Sequence, residues 1–138
     1  MCGTPRSDPR VPVVAAVIER RGRFLVGRRP RGKRHGGLWE FPGGKVLDSE
    51  SFGDAIAREL REELGLGVER LGRVLSRVGD PGSVFEIIFV EVSVSGVPAP
   101  VEHERVGWFG REELSRLALA PADARFVSER LTPRGSRT

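Results

Sequence analysis

Three glutamates, Glu59, Glu62 and Glu63, crowd into the run "RELREEL" (58–64). On a helix they fall within an arc of roughly 100°, and like charges at i,i+3 and i,i+4 destabilise a helix by a few tenths of a kcal/mol per pair. Something outside the helix must offset that repulsion, and a bound divalent cation is the candidate. Hard cations such as Mg²⁺ take oxygen ligands, keep several waters and join carboxylates to substrate phosphates. Arg58, at the edge of the acidic face, is placed to pair with a glutamate and fix its rotamer. The competing reading is a solvated helix face laced with i,i+4 ion pairs.

The elements around this cluster decide how it is presented. A stripe of Ile56, Leu60 and Leu64 lies beside the acids and docks the helix on a sheet. Ser51 with Asp54 three residues on marks the helix start, and Gly65 and Gly67 mark its stop. Gly53, early in the helix, costs up to about 1 kcal/mol against alanine. Before the helix, residues 11–19 and 23–29 read as two strands of a hairpin about "RRG", residues 30–37 as a loop, and "LWEFPGG" (38–44) as a brief extended piece closed by glycines. After it come a strand over 68–78 kinked at Gly72, a turn at "DPGS", a strong strand over 84–94 and a short one ending at Trp108 and Phe109. Helical pieces follow in "REELSRLA" and "PADARFVSERL", the second with Pro121 in the first turn. The mixture predicts one domain of α/β or α+β class over residues 11–131, with residues 1–10 and 132–138 flexible.

Composition narrows the partners. The chain has 138 residues, enough for one core and no second domain. No apolar run approaches the ~20 residues of a membrane span. The N-terminal "MCGTPRSDPR" lacks the apolar centre of a secretory signal, and the single cysteine, Cys2, excludes an internal disulfide. A reducing, cytoplasmic setting is expected. The net charge of +4, carried almost wholly by arginine, favours anionic ligands. The arginines cluster over 19–37 and the carboxylates just downstream, which suits a metal-bridged polyphosphate better than a duplex. A basic nucleic-acid-binding module remains an alternative, but no recognition motif for one is present, and no stable nucleic-acid complex is expected.

Counted from Gly44, the chain reads Gly44, five residues, Glu50, seven residues, Arg58-Glu59-Leu60, one residue, Glu62-Glu63, one residue, Gly65-Leu66. This resembles at every position the signature of the Nudix hydrolases. "GLWEFPGGK" and "LAPADARF" look like the MutT branch, which includes 8-oxo-dGTP diphosphatases and CTP pyrophosphohydrolases. The resemblance implies a Nudix α/β/α sandwich with a mixed central sheet. It implies Mg²⁺, or Mn²⁺, held by Glu59, Glu62, Glu63 and the backbone carbonyl of Gly43, with Glu50 and Arg58 orienting the carboxylates. Glu102, six residues before Trp108, matches a further acidic ligand or general base, with Glu104 its rival. Glu59, Glu62 and Glu102 are the candidates for the proton-accepting role. The run Val46-Leu47-Asp48-Ser49 departs from the usual loop while Glu50 is retained.

The implied reaction is hydrolysis of a nucleoside triphosphate to the monophosphate and pyrophosphate, sanitising the nucleotide pool in the service of DNA repair, by a monomer or homodimer. A non-catalytic nucleotide sensor with the same fold is the alternative. Base recognition is expected on the other side of the sheet, with Arg29 and Phe41 at the base site and Gly44 and Lys45 contacting substrate. Asp123 takes the place of an asparagine that reads oxidised guanine in guanine-preferring relatives. An ionised aspartate can only accept hydrogen bonds, which favours CTP, dCTP or a modified pyrimidine, whereas one held neutral by burial could still read a purine such as 8-oxo-dGTP. Trp39, Phe85 and Phe109 read as core more than as stacking platforms. His35 and His103 read as exposed loop residues without zinc-ligand spacing.

Overall fold

The computed structural model describes residues 10–131; the expected flexible segments lie outside the described residues, apart from Arg10. The elements run β1 (Val11–Val17), β2 (Glu19–Arg20), β3 (Arg23–Arg28), β4 (Trp39–Glu40), β5 (Gly43–Lys45), α1 (Phe52–Leu64), β6 (Gly67–Gly79), β7 (Phe85–Ser95), β8 (Arg105–Phe109), α2 (Arg111–Leu114) and α3 (Pro121–Arg130). A mixed sheet has the order β5-β1-β7-β6, with β1 and β7 parallel and both outer pairs antiparallel. A smaller antiparallel sheet is built on β3, which pairs with β2, β4 and β8.

Alternation along the strands of the mixed sheet gives it two apolar faces. Val14, Ala16, Ile88, Val90, Val92 and Val94 pack with Ile56, Leu60 and Leu64 of α1. On the opposite face Ala15, Val17 and Phe89 pack with Phe126 and Val127 of α3. The sheet is thus sandwiched between α1 and α3, the α/β/α arrangement that the sequence motifs imply. No helix among the described residues is long and apolar enough to cross a membrane.

The stretch 11–19 does not form one strand of a hairpin. It splits at Ile18: β1 belongs to the mixed sheet, and only β2 pairs with β3 across the turn. Ile18 is buried and its carbonyl accepts from Leu25 N at 3.1 Å, so the chain passes from one sheet to the other without leaving the core. The turn itself has φ of 51° at Arg21 and 77° at Gly22, the paired positive values of a two-residue hairpin loop. The kink expected in the strand after α1 is present as a register shift between Leu71 and Val74, spanning Gly72.

Candidate active site

Helix α1 begins where Ser51 Oγ accepts from Asp54 N at 3.0 Å and ends at Gly65, whose φ is 69°. Between these caps Arg58 holds the acidic face together. Its guanidinium donates to Glu50 at 2.7 and 3.0 Å, to Glu59 at 2.9 Å and to the Lys45 carbonyl at 2.9 Å. Glu50 in turn accepts from Leu47 N at 2.8 Å, closing the loop between β5 and α1 around Ser49, whose φ is 67°. The Arg58 hydrogen bonds hold the Glu50 carboxyl down at about 2, and the same bonds push the Arg58 pKa up.

The remaining glutamates diverge. Glu59 packs against the backbone of Gly44, where a Cβ would fall onto its carboxylate. Gly43 is equally constrained on the other side, since its Cβ would fall onto the Val14 carbonyl. Glu63 is 5% exposed and its Oε1 has no hydrogen-bond partner. Burial raises its pKa well above the carboxylate range, and the neighbouring Glu59, Glu40 and Glu102 raise it further. Glu62 points outward, its side chain 54% exposed, with Arg58 at 3.6 Å.

The loop after β7 brings a second set of groups to this end of α1. Val101 N donates to the Glu63 carbonyl and Glu104 N to the Arg28 carbonyl, each at 3.0 Å. Glu102 is thereby aimed into a cavity of about 310 Å³ that it shares with Glu63, Glu40, Gly43, Arg29 and Lys33. Its rival Glu104 is turned away and pairs with Arg28 at 3.1 Å. His103 is not an exposed loop residue. It is 8% exposed, its Nε2 lies 3.0 Å from Glu40 Oε2, and its Nδ1 lies 3.9 Å from Glu63 Oε1 without a hydrogen-bond partner.

A second cavity, of about 210 Å³, adjoins the first on the α3 face of the mixed sheet. Arg29 and Glu40 line both, and Arg29 Nη1 bonds both Glu40 oxygens at 3.2 Å. Lys45 also lines this second cavity, with Nζ 5.1 Å above the Phe85 ring. Asp123 is delivered to it by backbone bonds that tie β4 to the segment before α3, Trp39 N to the Ala118 carbonyl and Ala120 N to the Trp39 carbonyl. Its Oδ2 accepts from Phe41 N at 2.9 Å. Burial pushes the Asp123 carboxyl up to about 8, with repulsion from Glu40 adding to it.

Phe41 does not present its ring to this cavity. The ring is 3% exposed in the core, edge-on to Phe89 and Phe126, and its backbone N–H is what orients Asp123. Trp39 and Phe109 pack edge-on at 5.2 Å against the core, whereas Phe85 lines the second cavity. Sequence reasoning also missed Glu40 and Asp80. Asp80, 6% exposed, accepts from Arg34 Nη2 at 3.1 Å and sits 3.4 Å from His35 Nε2, fastening the 30–37 loop beside the second cavity. Only the position of Glu40 inside "WEFPGGK" could have drawn attention to it; nothing local marks Asp80.

Among the described residues no three His, Cys, Asp or Glu side chains already enclose a common point. The donors nevertheless fit a hard divalent cation. Several carboxylates converge, no lysine or arginine among the described residues forms an ion pair with Glu63, a buried carboxylate oxygen there is unpartnered, and glycine at 44 lets the Glu59 carboxylate close onto the backbone beside them.

The sequence and the fold both have known relatives. Residues 8–129 match the model of the NUDIX domain family. The chain is 37% identical over 129 residues to the CTP pyrophosphohydrolase of Escherichia coli (strain K12), covering 92% of this chain and 96% of that one. It is 36% identical over 106 residues to the oxidized purine nucleoside triphosphate hydrolase of Mus musculus, covering 74% and 67% of the two chains. The crystal structure of a MutT NUDIX hydrolase from Burkholderia pseudomallei superposes with a TM-score of 0.77 at 34% identity, over 88% of this chain and 98% of that one.

Proposed function

The chain belongs to the Nudix family and is a hydrolase of nucleoside triphosphates, and from that premise we propose that it releases pyrophosphate from cytidine and oxidised-purine triphosphates. The observation that carries this reading is the junction of two cavities through Arg29 and Glu40, one lined by Glu63 and Glu102 and the other by Asp123. A triphosphate and a base would thereby have adjoining compartments, the second of them with apolar walls from Val13, Phe85 and Ile87.

Nudix hydrolases use a divalent cation, and Glu59, Glu63 and the Gly43 carbonyl would hold it here, with Mg²⁺ the favoured ion and Mn²⁺ a substitute. When bound, such an ion neutralises phosphate oxygens and lowers the pKa of the attacking water. Arg58 and Glu50 keep the Glu59 carboxylate in one rotamer. Glu62, on the solvent side of the same face, is placed to bind a further ion brought in with the substrate. Lys33 and Arg29 at the cavity rim supply positive charge to the phosphates. Glu102 takes the proton from water, because it faces the cavity and no cationic side chain among the described residues engages it. Glu59, by contrast, is held by Arg58.

Asp123, with its carboxyl pushed up to about 8, is largely protonated at neutral pH, so one oxygen accepts from Phe41 N–H while the other donates. Glu40 beside it accepts. A donor next to an acceptor complements N3 and the amino group of cytosine, and equally O6 and the N7–H of 8-oxoguanine. On the same edge unmodified guanine presents two acceptors, at N7 and O6, and leaves Glu40 without a donor, so a purine read through that edge is favoured when oxidised. The test is pyrophosphate release with Mg²⁺ or Mn²⁺ from CTP, dCTP, 8-oxo-dGTP and dGTP. Turnover of any of the first three with a higher kcat/KM than dGTP is expected; no turnover across the panel, or a preference for dGTP, rejects the reading.

A further inference from the structure

We propose that His103 is a positioning residue that joins the two cavities, fixing Glu40 toward the nucleoside through one ring nitrogen and facing Glu63 at the cation cluster through the other. The inference rests on the reading of the two cavities given above.

The ring is built into its place. Its side chain is 4% exposed, and a Cβ on Gly27 would come within 2.6 Å of its Cγ, so only glycine at the facing position of β3 leaves room for it. The backbone on either side is anchored, Val101 to the end of α1 and Glu104 to the end of β3, so the ring cannot swing out with its loop. Nε2, at 3.0 Å from Glu40 Oε2, is a donor to that carboxylate, and Arg29 holds the same carboxylate from the other side. Glu40 is thereby clamped between a guanidinium and an imidazole where the cavities meet. With Nε2 committed as donor, Nδ1 is the ring's second contact. It and Glu63 Oε1 are both buried and unpartnered at 3.9 Å, a separation that a single bridging water or cation can span. A buried pair of this kind is costly to leave unpartnered, and the tight packing against Gly27 holds it in place.

The consequence is a division of labour within one side chain that two conservative substitutions separate. The amide of glutamine reaches the position of Nε2 and leaves nothing at Nδ1; the shorter amide of asparagine does the reverse. Two readouts are needed, neither of them turnover. Mn²⁺ titration of the nucleotide-free protein reads the Glu63 end, and binding of cytidine monophosphate in the presence of chelator reads the Glu40 end. His103→Gln is expected to weaken Mn²⁺ binding by about 10-fold, in the range seen when an outer-shell partner of a metal ligand is lost, with cytidine monophosphate affinity within about 2-fold of wild type. His103→Asn is expected to show the opposite pattern. Gly27→Ala, which displaces the whole ring, is expected to weaken both. Equal losses in the Gln and Asn variants that track their melting temperatures, or no change in either readout, would overturn the proposal. Because the Mn²⁺ arm contains no nucleotide, the Glu63 half stands or falls even if no triphosphate is ever turned over.

Discussion

Asp123 is a carboxyl placed where its charge is unwelcome, and this gives it a measurable signature in stability. Its pKa in the folded protein is about 8, while in the unfolded chain it returns to about 3.9. Below the lower value both states are protonated and there is no difference. As pH rises the unfolded state ionises first, so stability is lost progressively until the folded group ionises near 8 and then levels off. Asparagine is isosteric and keeps an acceptor for Phe41 N–H, so Asp123→Asn should abolish this slope. Chemical denaturation from pH 4 to 9 should show the variant gaining on wild type with rising pH, up to a ceiling of about 5 kcal/mol if about 1.4 kcal/mol accompanies each unit. A constant difference across that range would show that the carboxyl is not held neutral. At Gly44 the expectation is steric: alanine drives a methyl onto the Glu59 carboxylate, and activity should fall at least about 100-fold with little loss of fold, a displacement of reacting groups being enough for that. The contrast with His103 shows what residue-level reading can reach. Asp123 was legible because "PAD" stands at a helix start with a known occupant in relatives. His103 was not, because its neighbours in "VEHERV" are polar and its burial comes from Glu63, Arg28 and Gly27, far away in sequence.

At the scale of elements, α1 was readable from end to end because everything that defines it is local. Ser51 caps it, Gly65 ends it in the left-handed region, and the apolar stripe beside the acids is what docks it. Removing the cap should therefore be felt: Ser51→Ala is expected to cost about 1 kcal/mol, lowering the melting temperature by about 3–5 °C for a domain of this size. An unchanged melting temperature would mean that packing alone defines the helix start. The passage of residues 11–19 through two sheets was not readable. Ile18 looks like any β-branched residue in a strand, and the change of sheet is decided by partners on β3 and β7 that no local pattern names. The same limit applies to the 30–37 loop, correctly read as a loop but without sign that Asp80 would fasten Arg34 and His35 beside the second cavity.

For the whole molecule, the net charge of +4 conceals an uneven distribution, with cations lining the rims and carboxylates converging at the α1 end. Folding brings Glu40, Glu59, Glu63 and Glu102 together, so the native state carries a repulsion that the unfolded chain lacks. A divalent cation that binds only the assembled cluster must then stabilise the fold, by RT ln(1 + [M]/Kd), or about 2.7 kcal/mol at a hundredfold excess over Kd. Mg²⁺ or Mn²⁺ in that excess should raise the melting temperature by several degrees, and chelator should reverse the shift. Glu63→Gln separates this from any general effect of salt. The amide keeps the volume and removes a buried acid from among three others, so the cation-free variant should melt at or above wild type. With a neutral group at that position, the shift on adding Mn²⁺ should shrink to less than half. An outward-facing control, Glu112→Gln on α2, should leave both quantities as they are, since among the described residues its exposed side chain pairs with Arg116, away from the cluster. If Glu63→Gln instead melts lower without metal and keeps the full cation increment, the buried carboxylate is stabilising in itself and the ions bind elsewhere.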